Sequence, residues 1–360
     1  MYRDHSVAVV VPAYNEEGYV GSVIDAIPGY VDRAYVVDDG STDDTWAEIR
    51  RHAAARNAEV DSAFGDLVVP VRHDENRGVG GAIKTGYRRA RAEGIDVTAV
   101  LGGDDQMDPA VLPRYLDPIV EDEADYTKGT RFADAADWRA MPRFRFVGNV
   151  VLSYLTKIAS GYWGSMDSQN GYSAISLRAL EAIDLDGLYE YYGYCNDLLV
   201  RLNTAEMRVA DVPHSAEFTY EDGWKSHIEL RAYVPRVSVM LLRGFLRRLT
   251  RKYLLHDYHP LAPLYLLGGA LSAVSSVGLF GAVLGRTRDG PAAWLLGLAA
   301  GLGTLLWATL LDREDNRDLE RHLERPERST GRTEATAREP SVRGDGETPD
   351  GEPVDGSPEA

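Results

Sequence analysis

Two stretches without a single charge, Leu261 to Leu284 and Pro291 to Leu311, constrain this chain more than any other feature. They run 24 and 21 residues, and a helix of either length crosses roughly 30 Å of hydrocarbon. Gly, Ala and Leu fill both, which suits two helices packed closely in lipid better than a buried core hairpin. The short connection Gly285 to Gly290 forces them into a hairpin. The parts of the chain before and after it are therefore expected on the same side of a membrane.

Charge indicates which side. Six basic residues and no acidic ones stand between Arg236 and Lys252, just before the first apolar stretch. The tendency of basic flanks to stay inside places the large N-terminal part in the cytoplasm, with Arg286 and Arg288 pulling weakly the other way. The expected location is the cell membrane, multi-pass, with the catalytic domain cytoplasmic. Arg243, Arg247 and Arg251 recur at four-residue spacing among Val239, Leu242, Phe245, Leu246 and Leu249. That pattern fits a helix lying on an anionic membrane surface, or else an ordinary helix with a solvated basic face. The net charge of −17 excludes nucleic acid as the main partner, because phosphate backbones need clustered cations. Cys195 is the single cysteine, so neither an internal disulfide nor a Cys-rich zinc site can form.

Ahead of these segments, Val7 to Val11, Ala34 to Asp38, Leu67 to Val71 and Val97 to Leu101 are short β-branched runs, each followed by a polar turn and a helical pattern. The alternation predicts an α/β domain with a largely parallel sheet. Ligands bind such sheets at the carboxyl ends of the strands. The polar clusters fall there: Tyr14 to Glu17, Asp38 to Asp44, Arg72 to Arg77 and Asp104 to Gln106.

The loop GGDDQMDP (102–109) follows the fourth run, and Asp104 and Gln106 can offer two oxygens to one Mg2+ or Mn2+ ion. Such an ion would bridge the phosphates of a nucleoside diphosphate. In VVDDGSTDDT (36–45), Asp38 and Asp39 stand at a strand end, where Asp39 could accept hydrogen bonds from a base or ribose. Asp43 and Asp44 are placed to cap the next helix. HDENRGVGGAIKTG (73–86) fails as a nucleotide phosphate loop because Ile83 interrupts both glycine patterns. Gly80 and Gly81 then serve close packing or a ligand, with Lys84 one turn into the helix.

VVVPAYNEE, VVDDGSTDDT, NRGVGGAIKTGY, GGDDQMDP, KGTRF and DSQNGYSAIS, in this order over about residues 7–213, resemble the inverting family 2 glycosyltransferases that include dolichyl-phosphate mannose synthase and other polyprenyl-phosphate glycosyltransferases. The resemblance implies a glycosyltransferase A type fold, a Rossmann-like mixed sheet joining a nucleotide half to an acceptor half, followed by a two-helix transmembrane hairpin. It implies a nucleotide-sugar donor contacted by Pro12, Tyr14, Glu16, Asp38, Asp39, Lys84 and Asp104, and a metal held by Asp104 and Gln106. It gives Lys128 and Arg131 to phosphate groups, Asp167 to catalysis and Gln169, with Arg131, to the acceptor. Gly102 departs from the family pattern, in which many members carry a further aspartate two residues before Asp104.

For a sugar hydroxyl acceptor, Asp167 or Asp197 would be the general base to test. A lipid phosphate is already ionised near neutral pH and needs only cations to guide it. The expected reaction is therefore transfer of a hexose to polyprenyl (dolichyl) phosphate. Transfer to a glycan hydroxyl and a catalytically silent nucleotide-sugar-binding scaffold stand as alternatives. The segment from Arg143 to Trp163 is amphipathic and is equally expected to rest on the bilayer or to form a core helix. The expected division is residues 1–230 catalytic, 231–257 a basic amphipathic juxtamembrane helix, 258–311 the two spans and 312–360 a disordered acidic tail.

Overall fold

A computed structural model describes residues 1–60, 64–130, 143–213, 230–256, 258–287 and 289–323. Strand β1 (Val7–Ala13) lies inside the sheet, parallel to β2 (Arg33–Asp38) on one side and β4 (Val97–Val100) on the other. Strand β3 (Val68–Arg72) continues beyond β2, again parallel. Both faces of β1 are covered, which explains its unbroken apolar run: Val7, Val9 and Val11 enter one core layer and Ala8 and Val10 the other. Helices α1 (Val20–Asp25), α2 (Thr45–Glu59) and α3 (Val79–Glu93) connect these strands.

The sheet becomes mixed beyond β4, where β6 (Ser173–Ser176) runs antiparallel to both β4 and β5 (Tyr126–Thr130). Strand β7 (Val209–Pro213) lies parallel to β5. Helices α4 (Pro113–Val120), α5 (Arg143–Ser160), α6 (Leu177–Ala182) and α7 (Tyr194–Thr204) belong to this half. The expected mixed α/β sheet is thus present, in the order β3-β2-β1-β4-β6-β5-β7 with one further strand at its edge.

Helix α8 (Leu230–Arg248) passes into a π-helical turn, Leu249–His256, ahead of α9 (Leu261–Val283) and α10 (Pro291–Asp315). The last two are long and apolar enough to cross a membrane and pack against each other through small residues. A side chain at Gly301 would overlap Ser272, and one at Gly268 would come within 3.0 Å of Leu305. Leu267, Val277, Phe280, Leu296 and Leu306 point outward from the pair.

Two sequence expectations change here. Chain order does not stop at residue 311: α10 continues to Asp315, and Glu320–His322 forms strand β8, parallel to β7. The basic juxtamembrane stretch is not uniformly presented outward, because Arg248 is fully buried and Lys252 nearly so. Arg248 pairs with Asp312 at 2.9 Å, and Lys252 donates to Asn316 at 2.8 Å. Both inward cations answer polar groups at the end of α10 that composition alone does not pair with them. Helix α5 has one packed and one open face. Leu152 and Ala159 pack against Val200, Val237 and Leu241, whereas Val150, Val151 and Tyr154 are exposed.

Candidate active site

The four strand-end loops are joined by hydrogen bonds. The Asp39 amide donates to the Ala13 carbonyl at 2.8 Å, and the Gly103 amide donates to the Pro12 carbonyl at 3.2 Å. The loops bearing Asp39 and Asp104 therefore flank the end of β1, two strand spacings or about 10 Å apart. The loop after β1 is fixed to the one after β2: Asn15 N–H donates to Ser41 Oγ at 3.0 Å and Glu16 N–H to Thr45 Oγ1 at 2.8 Å. Tyr14 remains exposed beside them.

Asp39 is buried, and its Oδ1 accepts from the Arg77 amide at 3.0 Å and meets His73 Nδ1 at 2.7 Å. Asp38, also buried, accepts from the Ser41 amide and pairs with Arg72 at 3.1 Å, so it shapes the loop. Asp43, not Asp44, bonds the first residue of α2, accepting from Thr45 N–H at 3.1 Å. Gly80 packs closely: a Cβ there would lie 2.5 Å from the Tyr189 carbonyl. Lys84 is buried against Glu190 at 2.6 Å and donates to the Asp186 carbonyl at 2.9 Å. Glu190 also pairs with the Arg77 guanidinium at 2.9 Å, whereas Asp39 is held by the Arg77 backbone amide.

Among the described residues no basic side chain pairs with Glu16 or Asp104. Burial, then repulsion from Asp104 and Asp43, pushes the Glu16 carboxyl up to about 7. Burial also raises Asp104, with Asp105 adding to it. Tyr192 is raised by burial and by the same two carboxylates, Glu16 and Asp104, so the three groups share one cleft. Among the described residues no cluster of three or more His, Cys, Asp or Glu could hold a metal alone. Gly102 has a local explanation: a Cβ there would fall 2.6 Å from Asp104 Oδ1, so the missing side chain leaves room for this carboxylate. Gln106 is exposed, and its amide donates to Asp104 Oδ1 at 3.3 Å.

Because the Glu16 pKa is raised from an ordinary value near 4.5, its contribution to stability is complete below about pH 4.5 and is lost as pH climbs through 7. The protein without added cation is therefore expected to melt at a lower temperature at pH 8 than at pH 6, and Glu16→Gln to shrink that difference. An unchanged difference in the variant would assign the pH effect elsewhere.

In the other half, Lys128 is buried on β5, and the strand register sets it opposite Asp211 on β7, at 2.8 Å. It also donates to the Met166 carbonyl and, at 3.4 Å, to that of Asp167. Its ammonium thus holds the loop before β6, where the sequence reading expected it to face phosphate. Asp211, which sequence reasoning missed, binds the same loop through Met166 N–H at 2.6 Å and Ser165 Oγ at 3.1 Å. An aspartate inside a strand is itself a signal that a partner stands opposite. Asp167 is buried with a left-handed backbone (φ 48°), and Gln169 donates to Tyr233 on α8 at 2.9 Å. Arg131 lies outside the described residues. Asp197 is taken up structurally: it accepts from Arg201 at 2.7 Å and Tyr189 N–H at 3.0 Å, and pairs with Arg247 at 3.2 Å.

Known proteins resemble the N-terminal part of this chain. The family description Glycosyl transferase family 2 matches residues 8–184. The chain is 30% identical over 215 residues to the undecaprenyl-phosphate mannosyltransferase of Micrococcus luteus, covering 58% of this chain and 82% of the relative. It is 29% identical over 220 residues to the UDP-N-acetylglucosamine–dolichyl-phosphate N-acetylglucosaminyltransferase of Methanococcus voltae, covering 60% and 87%. Among solved structures, glucosyl-3-phosphoglycerate synthase of Mycobacterium tuberculosis with UDP is similar at a TM-score of 0.46 and 21% identity, covering 68% of this chain and 80% of that one.

Proposed function

Because the chain belongs to glycosyltransferase family 2, we propose that it moves a hexose from a nucleotide-sugar onto a polyprenyl phosphate, with inversion, at the cytoplasmic face of a membrane. The relatives named for dolichyl- and undecaprenyl-phosphate transfer support the acceptor class. The observation that carries the reading to this chain is the hydrogen bond from Gln169 to Tyr233. It ties the loop of the acceptor half to the helix that leads toward the apolar hairpin, which supports an acceptor reached from the membrane. Exposed Val150, Val151 and Tyr154 on α5 and Val239, Leu242 and Leu246 on α8 offer apolar surface to the same membrane.

Donor recognition falls to Asp39 for the base or ribose, with Pro12, Tyr14 and Glu16 shaping the nucleoside site. The raised Glu16 and Asp104 carboxyls fit a divalent cation, since bound positive charge would relieve both. Asp104 and Gln106 would hold Mg2+ or Mn2+, with donor phosphates completing the oxygen shell. When bound, that ion supplies charge neutralisation for the departing diphosphate. An oxygen of the acceptor phosphate attacks the anomeric carbon as the bond to the diphosphate breaks. Arg131 guides the acceptor anion, and Lys128 acts by fixing the loop that bears Asp167 and Gln169. A phosphate nucleophile requires no general base, in keeping with the full commitment of Asp197 to its arginines.

The test is to incubate membranes holding the full chain with labelled GDP-mannose, UDP-glucose or UDP-N-acetylglucosamine plus polyprenyl phosphate. One label is expected to enter organic solvent as an acid-labile product. Transfer that needs a glycan hydroxyl and ignores polyprenyl phosphate would replace this reading.

A further inference from the structure

The loop from Gly161 to Asn170, which carries Asp167 and Gln169, is bonded to chain that follows the apolar hairpin in sequence. Gly161 has a left-handed backbone (φ 81°), and a Cβ there would overlap the buried guanidinium of Arg248. That guanidinium forms two bonds of 2.9 Å with the buried Asp312 and donates to the Ile158 carbonyl at 3.1 Å. Asn316 extends the network, accepting from Asn203 of α7 and Lys252 at 2.8 Å each and donating to Tyr253 Oη at 2.9 Å.

Four residues later the chain reaches the loop itself. Glu320 on β8 accepts from the Gly164 amide at 2.5 Å, and the Trp163 and Ser165 amides also bear on its carboxylate. Burial raises this carboxyl while those three amides pull it down, as expected of an acid buried because it caps successive N–H groups. Lys157 fixes the same corner by donating to the Trp163 carbonyl at 2.7 Å.

We propose that Asp312 and Glu320 are positioning residues for sugar transfer: the segment returning from the second apolar helix sets the loop at 161–170, so that seating of the hairpin governs acceptor binding. This rests on the acceptor assignment above and adds to it a part of the chain that the family match, ending at residue 184, does not reach. The juxtaposition is specific. A carboxylate that only closed the sheet edge would not need to turn onto the Gly164 amide of the adjoining loop.

The experiment uses the full chain in detergent with Glu320→Ala and Glu320→Gln, since the amide oxygen of glutamine can still accept from the loop. Glu320→Ala is expected to raise KM for polyprenyl phosphate about tenfold, leaving nucleotide affinity unchanged, and Glu320→Gln to restore most of the loss. Amide exchange over 161–170 should rise in the alanine variant, with that of β1 and β4 unaltered. Unchanged exchange over this loop overturns the proposal whatever the acceptor is. Unchanged acceptor KM with faster exchange overturns it as well, leaving Glu320 a structural cap. Failure of the wild type to use polyprenyl phosphate defeats the acceptor assignment instead, and the exchange measurement still decides the coupling. Asp312→Ala, which would leave Arg248 buried without its partner, serves as a second variant only where it folds.

Discussion

Asp104→Asn is expected to lower sugar transfer about a thousandfold with the fold intact. The substitution retains an oxygen to accept the Gln106 amide, so the loop keeps its shape while the charge is lost. Cation stabilisation of a departing diphosphate supplies several kcal/mol. A loss of about 4 kcal/mol corresponds to three decades in rate. Initial rates measured across a Mn2+ titration, beside melting curves, check this. A variant within tenfold of wild type at every metal concentration would remove Asp104 from the reaction centre. The substitution also withdraws one of the charges that raise Glu16, so the pH at which that group titrates should fall.

Asp197→Ala is expected to have the opposite profile, with a large loss of stability and unchanged turnover per folded molecule. Both carboxylate oxygens are engaged, one by Arg201 and the Tyr189 amide and the other by Arg247. Removing the acid leaves two cations crowded in a half-buried site. Burial and the neighbouring Arg201 already lower the Arg247 pKa. Breaking a buried pair costs roughly 3 to 5 kcal/mol. Arg201 keeps Asp184 at 3.1 Å, so the lower figure applies. For a domain of this size, about 3 kcal/mol lowers the melting temperature by roughly 6 to 12 °C. If Asp197 were also the general base for a sugar hydroxyl, turnover per folded molecule would drop by about two to four decades besides. The variant therefore decides whether Asp197 serves as a general base, with Asp167 the other carboxylate to test for a hydroxyl acceptor.

The strands of the nucleotide half were legible because β-branched runs buried on both faces leave an unambiguous pattern, and their loops followed from the position of each run's end. The role of Lys128 was not. Sequence supplies the charge but not the register that sets Asp211 opposite it, since α5, β6, α6 and α7 separate the two strands in the chain. The burial of Arg248 was not legible for a related reason: its partner Asp312 lies beyond two long apolar helices. Strand β8 reads Glu-Arg-His, three residues with no preference for extended structure, and only the open edge of β7 makes it a strand. Gly102 looked like a lost ligand because spacing shows an absent side chain but not the carboxylate that lies where its Cβ would stand.

The polypeptide departs at Tyr253 and comes back at Asn316, and these two side chains touch at 2.9 Å. Topologically, the two apolar helices are thus an excursion spliced into the enzyme and not a tail appended to it. A short linker could bridge that gap, allowing them to be excised while the eighth strand stays in place. Truncating the chain ahead of Leu261 would instead discard that strand and leave the backbone of β7 bare, an invitation to aggregate.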